Sequence, residues 1–199
     1  PEVQKILVDA VARSGFEPHL AAELRPALQE LMQRSLGGPL GQLRLNQIER
    51  QNSLRELPFD LPLSGFENGP PLDVLGEALS QLAKHPNPLV CSYAKERLKQ
   101  RLPQARAGFL NGVIDLVFRA PAANGDLQWV VLDWKTNRLS QPVAKLMADK
   151  DYWLQAQLYR HAIEQWLRLR LGLTKSEPCP VHALMLFTRN GESAWLTNP

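Results

Sequence analysis

The chain has 199 residues, 44% hydrophobic and 22% charged, with a formal net charge of +3, which is apolar material enough for one domain with a real core. No apolar run is long enough to cross a bilayer and no signal peptide opens the chain, so a membrane is not an expected partner. The mild basicity permits an anionic partner without demanding one, while Cys91 and Cys179 lie far apart and outside any C-x-x-C pair, which argues against a cysteine-built metal site and suits a reducing cytoplasmic setting.

Position 1 is proline rather than methionine, so the chain is expected to be a piece of a longer polypeptide. Val3, Ile6, Leu7, Ala10 and Val11 recur at helical spacing, predicting a helix over 1–14 that stops at Gly15. A second helix is predicted over 18–36, with Leu20, Leu24, Leu28, Leu31 and Met32 on one stripe; Pro26 either kinks it or marks its true start. From Leu54 the pattern becomes alternation, with Leu57, Phe59, Leu61 and Leu63 on one face. That reads as a half-buried strand, and its prolines favour an edge. Residues 64–72 read as loop, and two shorter helices follow over 73–84 and 88–101. The second carries Lys95, Arg97, Lys99 and Arg101, continued by Arg106.

Residues 108–118 and 127–135 read as strands, and the Pro-Ala-Ala-Asn-Gly-Asp stretch at 121–126 is a strong turn signal. The two should pair as an antiparallel hairpin. A long helix is predicted over 150–171, then an apolar strand over 181–188. Asn190-Gly191 favours a tight turn into Ala194-Trp195-Leu196. This order predicts a mixed α/β or α+β fold built on one sheet. Residues 1–53 would be a helical N-terminal part and 54–199 the core of a single domain.

Side chains alternate faces along a strand. Asp115 therefore shares a face with Val113 and Val117, and Asp133 and Lys135 share one with Trp129 and Val131. Carboxylates among aliphatic neighbours are costly unless paired or metal-bound. Two adjacent carboxylates also repel each other, and a cation removes that repulsion. A lysine two residues past the second aspartate puts an ammonium on the same side, which suits an oxygen-ligated ion such as Mg²⁺. A D-x-K triplet taken alone reads first as a solvated edge or a local salt bridge at a strand end; the second strand carrying Asp115 brings a metal-dependent hydrolase level with that reading.

The stretches Gly108–Phe118, Val131–Asn137 and Gln155-Ala156-Gln157-Leu158-Tyr159 resemble, in order and spacing, the first acidic, the D-x-K and the Q-x-x-x-Y motifs of the RecB-type nucleases. These belong to the PD-(D/E)XK superfamily. The resemblance is specific from Gly108 to Leu171; before that it rests on Arg55–Phe59, similar to a strand carrying a glutamate in these nucleases. It implies a restriction-endonuclease-like core: a central mixed β-sheet, an antiparallel catalytic hairpin and flanking helices. It further implies that Asp115, Asp133 and the Trp134 backbone carbonyl bind Mg²⁺, which Mn²⁺ or Ca²⁺ could replace, and that Lys135 acts on the attacking water. Glu56, Gln155 and Tyr159 would support the site or touch DNA. On residue type alone Gln155 reads more readily as a surface residue and Tyr159 as a core aromatic.

Lys95, Lys99 and Arg106 could track DNA phosphates, or lie on a solvated helix face together with Glu96; Arg168 and Arg170 are open to the same two readings. By resemblance the whole would be a DNA exonuclease fused behind a helicase and acting with RecC- and RecD-like subunits. A stand-alone nuclease and a catalytically incomplete DNA- or partner-binding scaffold are the alternatives. The family's metal-ligating histidine has no counterpart in context among His19, His85, His161 and His182, so the isolated chain is expected to bind metal weakly and cut poorly.

Overall fold

Ten residues from Ser53 to Pro62 form β1, the first strand of a five-stranded sheet in the computed structural model. The structure describes residues 2–62, 73–100, 109–122, 125–174 and 176–197. Leu63, the predicted loop 64–72, Arg101, Arg106, Gly108, Ala123 and Asn124 lie outside the described residues. The remaining strands are β2 (Phe109–Pro121), β3 (Leu127–Lys135), β4 (Val181–Phe187) and β5 (Glu192–Leu196). Their spatial order is that of the sequence. All pairs are antiparallel except β3 with β4, which run parallel. A mixed α/β sheet containing an antiparallel hairpin is therefore present, as the sequence predicts.

Among the described residues the chain also forms helices α1 (Glu2–Arg13), α2 (Leu20–Gln33), α3 (Val74–Leu82), α4 (Pro88–Lys99), α5 (Val143–Asp149) and α6 (Tyr152–Leu171). Contacts divide the chain into two units, residues 1–49 and 50–199. In the first, α1 and α2 are followed by two short 3-10 turns, and Val11, Ala21, Leu36, Leu40 and Leu45 are buried. Pro26 lies inside α2 without ending it, whereas Leu24, Leu28 and Met32 of the predicted apolar stripe stay exposed.

In the second unit local chemistry sets the element ends. Asp73 caps α3 by accepting from the Gly76 amide at 2.9 Å, and Asn87 caps α4 by accepting from Leu89 at 3.0 Å with Pro88 in the first turn. Gly172, at φ 66°, closes α6. Gly191, at φ 68°, makes the β4–β5 turn, its amide donating to Phe187 at 2.8 Å. The prolines of β1 sit on an edge strand, where a missing amide donor is tolerated. Every residue of β4 is buried, as expected of a central strand covered on both faces.

A parallel pair needs a crossover, and residues 136–180 supply it. The sequence predicts one helix there; the structure has two, because the chain turns sharply at Lys150–Asp151, where Asp151 takes φ 55°. Trp153, Ala156, Tyr159, Ile163 and Leu167 of α6 pack into the main core with Val117, Val131, Ala183, Met185 and Phe187 of the sheet. Ile114 and Val117, at odd separation, belong to this same cluster. Regular alternation along β2 therefore breaks between them, at Asp115.

Candidate active site

That break has a structural cause. The β2–β3 pairing runs from Pro121↔Leu127 to Leu116↔Leu132 and stops there; one step further it would set Asp115 against Asp133. Instead the Asp115 side chain takes the place of a backbone acceptor, its Oδ2 receiving the Trp134 amide at 2.7 Å. On its other edge β2 pairs with β1 at Arg55↔Leu116 and Leu57↔Ile114, skipping Glu56 and Asp115. Glu56 sits there at φ 49°. A left-handed backbone at a residue other than glycine costs roughly 1–3 kcal/mol and persists where surrounding structure enforces it. Both neighbouring strands thus leave regular pairing at Asp115.

Lys135 and Asp133 point to the same side of β3. Asp133 is 6% and Lys135 8% exposed, and Lys135 Nζ lies 2.6 Å from Asp133 Oδ2. Lys135 Nζ also donates to Gln155 Oε1 at 2.7 Å, and Gln155 Nε2 to the Tyr159 hydroxyl at 2.8 Å. The Tyr159 hydroxyl in turn reaches the Val113 carbonyl at 3.3 Å. Gln155 and Tyr159, four apart on α6, therefore tie that helix to both strands of the hairpin. Tyr159 is braced by Phe59 of β1, edge to face at 5.5 Å between ring centres. The Phe59 ring lies directly over Gly112, where a Cβ would come within 2.8 Å of it; only glycine leaves that space.

Two residues to which the sequence assigns no role, Tyr152 and Asn137, complete this surround. Lys135 Nζ stands 4.0 Å from the centre of the Tyr152 ring, and the Tyr152 hydroxyl donates to Asn137 Oδ1 at 3.0 Å. Tyr152 falls three residues before Gln155 and seven before Tyr159, on the same stripe of α6, and that spacing was the available signal.

The surroundings work against the Asp133 charge. Burial pushes the Asp133 carboxyl above its ordinary value; the Lys135 ammonium opposes the shift and the neighbouring Asp115 charge adds to it. Burial and the Asp133 charge likewise push the Tyr159 phenol up. Two carboxylates and the Trp134 carbonyl are hard oxygen donors, so the donor chemistry fits a divalent ion such as Mg²⁺. Among the described residues no group of three or more His, Cys, Asp or Glu side chains converges to hold a metal. Glu56 is exposed and does not complete such a set with the two aspartates.

The other expected residues fall elsewhere. Val113, expected to be a buried neighbour of Asp115, is 46% exposed, although it pairs regularly with Pro58 of β1. Lys95 and Lys99 are exposed, and Lys99 pairs with Glu96 at 2.9 Å. Arg97 turns inward to Asp151 at 2.6 Å. Arg106 lies outside the described residues. Arg168 is occupied by Glu164 and the carbonyls of Thr174 and Glu177, which makes it a brace for the end of α6; Arg170 is exposed. His85 bonds the Thr197 carbonyl, His182 contacts Gln128, and His161 borders a small cavity with Glu77 and Gln81. No helix among the described residues is long and apolar enough to cross a membrane.

Comparison with known proteins identifies the family. The PD-(D/E)XK nuclease superfamily matches residues 2–193. The chain is 35% identical over 165 residues to the RecBCD enzyme subunit RecB of Mycobacterium tuberculosis (strain CDC 1551 / Oshkosh), covering 76% of this chain and 15% of that protein. It is 31% identical over 168 residues to the subunit of the same name from Escherichia coli (strain K12), covering 79% of this chain and 12% of that protein. The chain thus spans about 15% or less of the length of these relatives.

Proposed function

The chain belongs to the PD-(D/E)XK nuclease superfamily, and from that premise we propose that it is the Mg²⁺-dependent exonuclease part of a RecB-like helicase–nuclease, of the exodeoxyribonuclease V type. Such an enzyme would hydrolyse DNA phosphodiesters while processing double-strand ends for recombinational repair, alongside RecC- and RecD-like subunits. The observation that carries the reading is the junction at which β2 and β3 part. There Asp115 accepts the Trp134 amide, next in sequence to the buried Asp133–Lys135 pair, within motifs that resemble those of RecB-type nucleases.

In this reading Asp115, Asp133 and the Trp134 carbonyl hold the divalent ion, which when bound supplies charge neutralisation at the phosphate and acidifies a water. Lys135 orients the attacking water and stabilises charge developing on the phosphate oxygens. Gln155 fixes the Lys135 ammonium, and Tyr159 fixes Gln155. Glu56 lends acidic support at the rim, and Lys95, Lys99 and Arg106 follow the DNA backbone.

The test is cleavage of linear DNA in Mg²⁺ by a polypeptide carrying this chain within its longer parent, comparing the parent form with Asp133→Ala and Lys135→Ala at matched folding. Both variants should lose at least about 100-fold in rate. Equal cutting by all three would refute the site. The lack of a third metal-ligating side chain among the described residues favours one second reading, a catalytically incomplete scaffold that binds DNA or a partner. That reading predicts DNA binding without cleavage from the parent form itself.

A further inference from the structure

We infer that Tyr152 is the positioning residue for the Lys135 ammonium, holding it against the face of its ring; the inference rests on the role proposed for Lys135 above. A lysine ammonium has three N–H donors and no acceptor. Around Lys135 Nζ the structure offers three separate stops: Asp133 Oδ2 at 2.6 Å, Gln155 Oε1 at 2.7 Å and the Tyr152 ring centre at 4.0 Å. The first is a carboxylate and the second a neutral amide oxygen. The third is an aromatic face, which attracts a cation without accepting its proton or carrying a counter-charge.

The ring is itself fixed from three directions. Tyr152 opens α6 directly after the left-handed Asp151, and Asp151 is tied to the Tyr93 hydroxyl at 2.7 Å and to Arg97 at 2.6 Å on α4. The Tyr152 hydroxyl is held by Asn137, two residues past Lys135 on the same chain segment. The ring packs against Phe187 at 6.5 Å between centres, and Phe187 is the β4 residue paired with Lys135 itself. A tyrosine braced by both its lysine's sequence neighbour and that lysine's strand partner has little freedom to move without carrying the ammonium along.

The arrangement has a consequence for the reaction. A carboxylate that turns toward a divalent ion no longer holds the lysine, and a long flexible side chain would then relax toward solvent. Gln155 and Tyr152 are uncharged and remain. They keep the ammonium pointed at the junction of β2 and β3 with its charge intact and available to a phosphate.

The experiment uses two variants and two readouts. Tyr152→Phe keeps the ring and loses only the bond to Asn137; Tyr152→Leu removes the aromatic face. In proton–carbon NMR spectra of the 199-residue chain, the Lys135 ε-methylene protons should be shifted upfield by the ring in the parent and in Tyr152→Phe, and return to ordinary lysine values in Tyr152→Leu. In the longer polypeptide, Tyr152→Leu should lower kcat by ~10- to 100-fold with KM for DNA nearly unchanged, as misplacement of a reacting group does, and Tyr152→Phe should stay within about threefold of the parent. An ordinary Lys135 shift in the folded parent overturns the proposal whether or not any variant folds, as does a Tyr152→Phe form as impaired as Tyr152→Leu. A parent that shows the shifted resonance yet cleaves equally well without Lys135 would refute the nuclease role and leave the Tyr152–Lys135 contact standing.

Discussion

Gly112→Ala tests whether the β1–β2 surface is built to hold the helix side of the site. The new Cβ would lie 2.8 Å from Phe59 Cε1 and 2.9 Å from Cζ, against a normal contact of roughly 3.5–4.0 Å between carbons. The ring must therefore retreat by nearly an ångström. It cannot do so freely, because Tyr159 packs edge-on against it and Tyr159 holds Gln155, which holds Lys135. Overpacking of this kind costs ~1–3 kcal/mol. Urea denaturation should show that loss. A Gly112→Ala/Phe59→Leu double variant should recover part of it, with a coupling of about 0.5–3 kcal/mol between the two positions. If Gly112→Ala is as stable as the parent, or the two changes simply add, the ring does not rest on Gly112 and the proposed route to Lys135 is wrong.

Two further predictions concern buried ionisable groups. Lys135→Ala leaves the Asp133 carboxylate without its partner at 6% exposure, so chemical denaturation at pH 7 should show a loss of ~3–5 kcal/mol. Because Lys135 holds the Asp133 pKa down against burial, its removal raises that pKa further. A group raised in the fold contributes stability at pH below its unfolded pKa and loses it as pH rises. The Lys135→Ala deficit should accordingly shrink toward pH 4, and a deficit that is flat or grows on acidification would contradict the pairing. His182, 6% exposed, has its pKa lowered from 6.5 to about 4, by burial first and the Arg160 charge second. A depressed pKa contributes stability above pH 6.5 that is lost as pH falls to about 4, a gap that converts to ~3 kcal/mol. A His182→Gln variant should lack that part of the acid dependence in matched denaturation curves; identical pH profiles would show that His182 titrates normally.

The sequence made some of this legible and withheld the rest for identifiable reasons. The hairpin of β2 and β3 is plain in the chain because alternation and a turn signal are local properties. The presence of Asp133 and Lys135 on one buried face follows from the same two-residue period. Alternation fails at Asp115, where an aspartate side chain captures the Trp134 amide; no propensity encodes a side chain standing in for a backbone acceptor. Glu56 at φ 49° is invisible for the same reason, since its neighbours read as ordinary strand. The seven-residue α5 is too short to show a period, and the bend at Asp151 depends on partners from α4 distant in sequence. Tyr152 is the plainest case: its position on the Gln155–Tyr159 stripe could be read from spacing, but its contact with Lys135 depends on how α6 is set along β3. Arg97 looked like part of a basic run and is instead the partner of Asp151.

The central claim is that the Asp115 and Asp133 carboxylates form one site for a divalent cation. Calorimetric titration of Mn²⁺ into the 199-residue chain addresses it directly, with Asp115→Ala and Asp133→Ala compared at matched folding. A single class of weak site is expected, with an affinity that falls at least about tenfold in either variant, the usual cost of disturbing a metal's surroundings. Undiminished Mn²⁺ binding by both variants would contradict it.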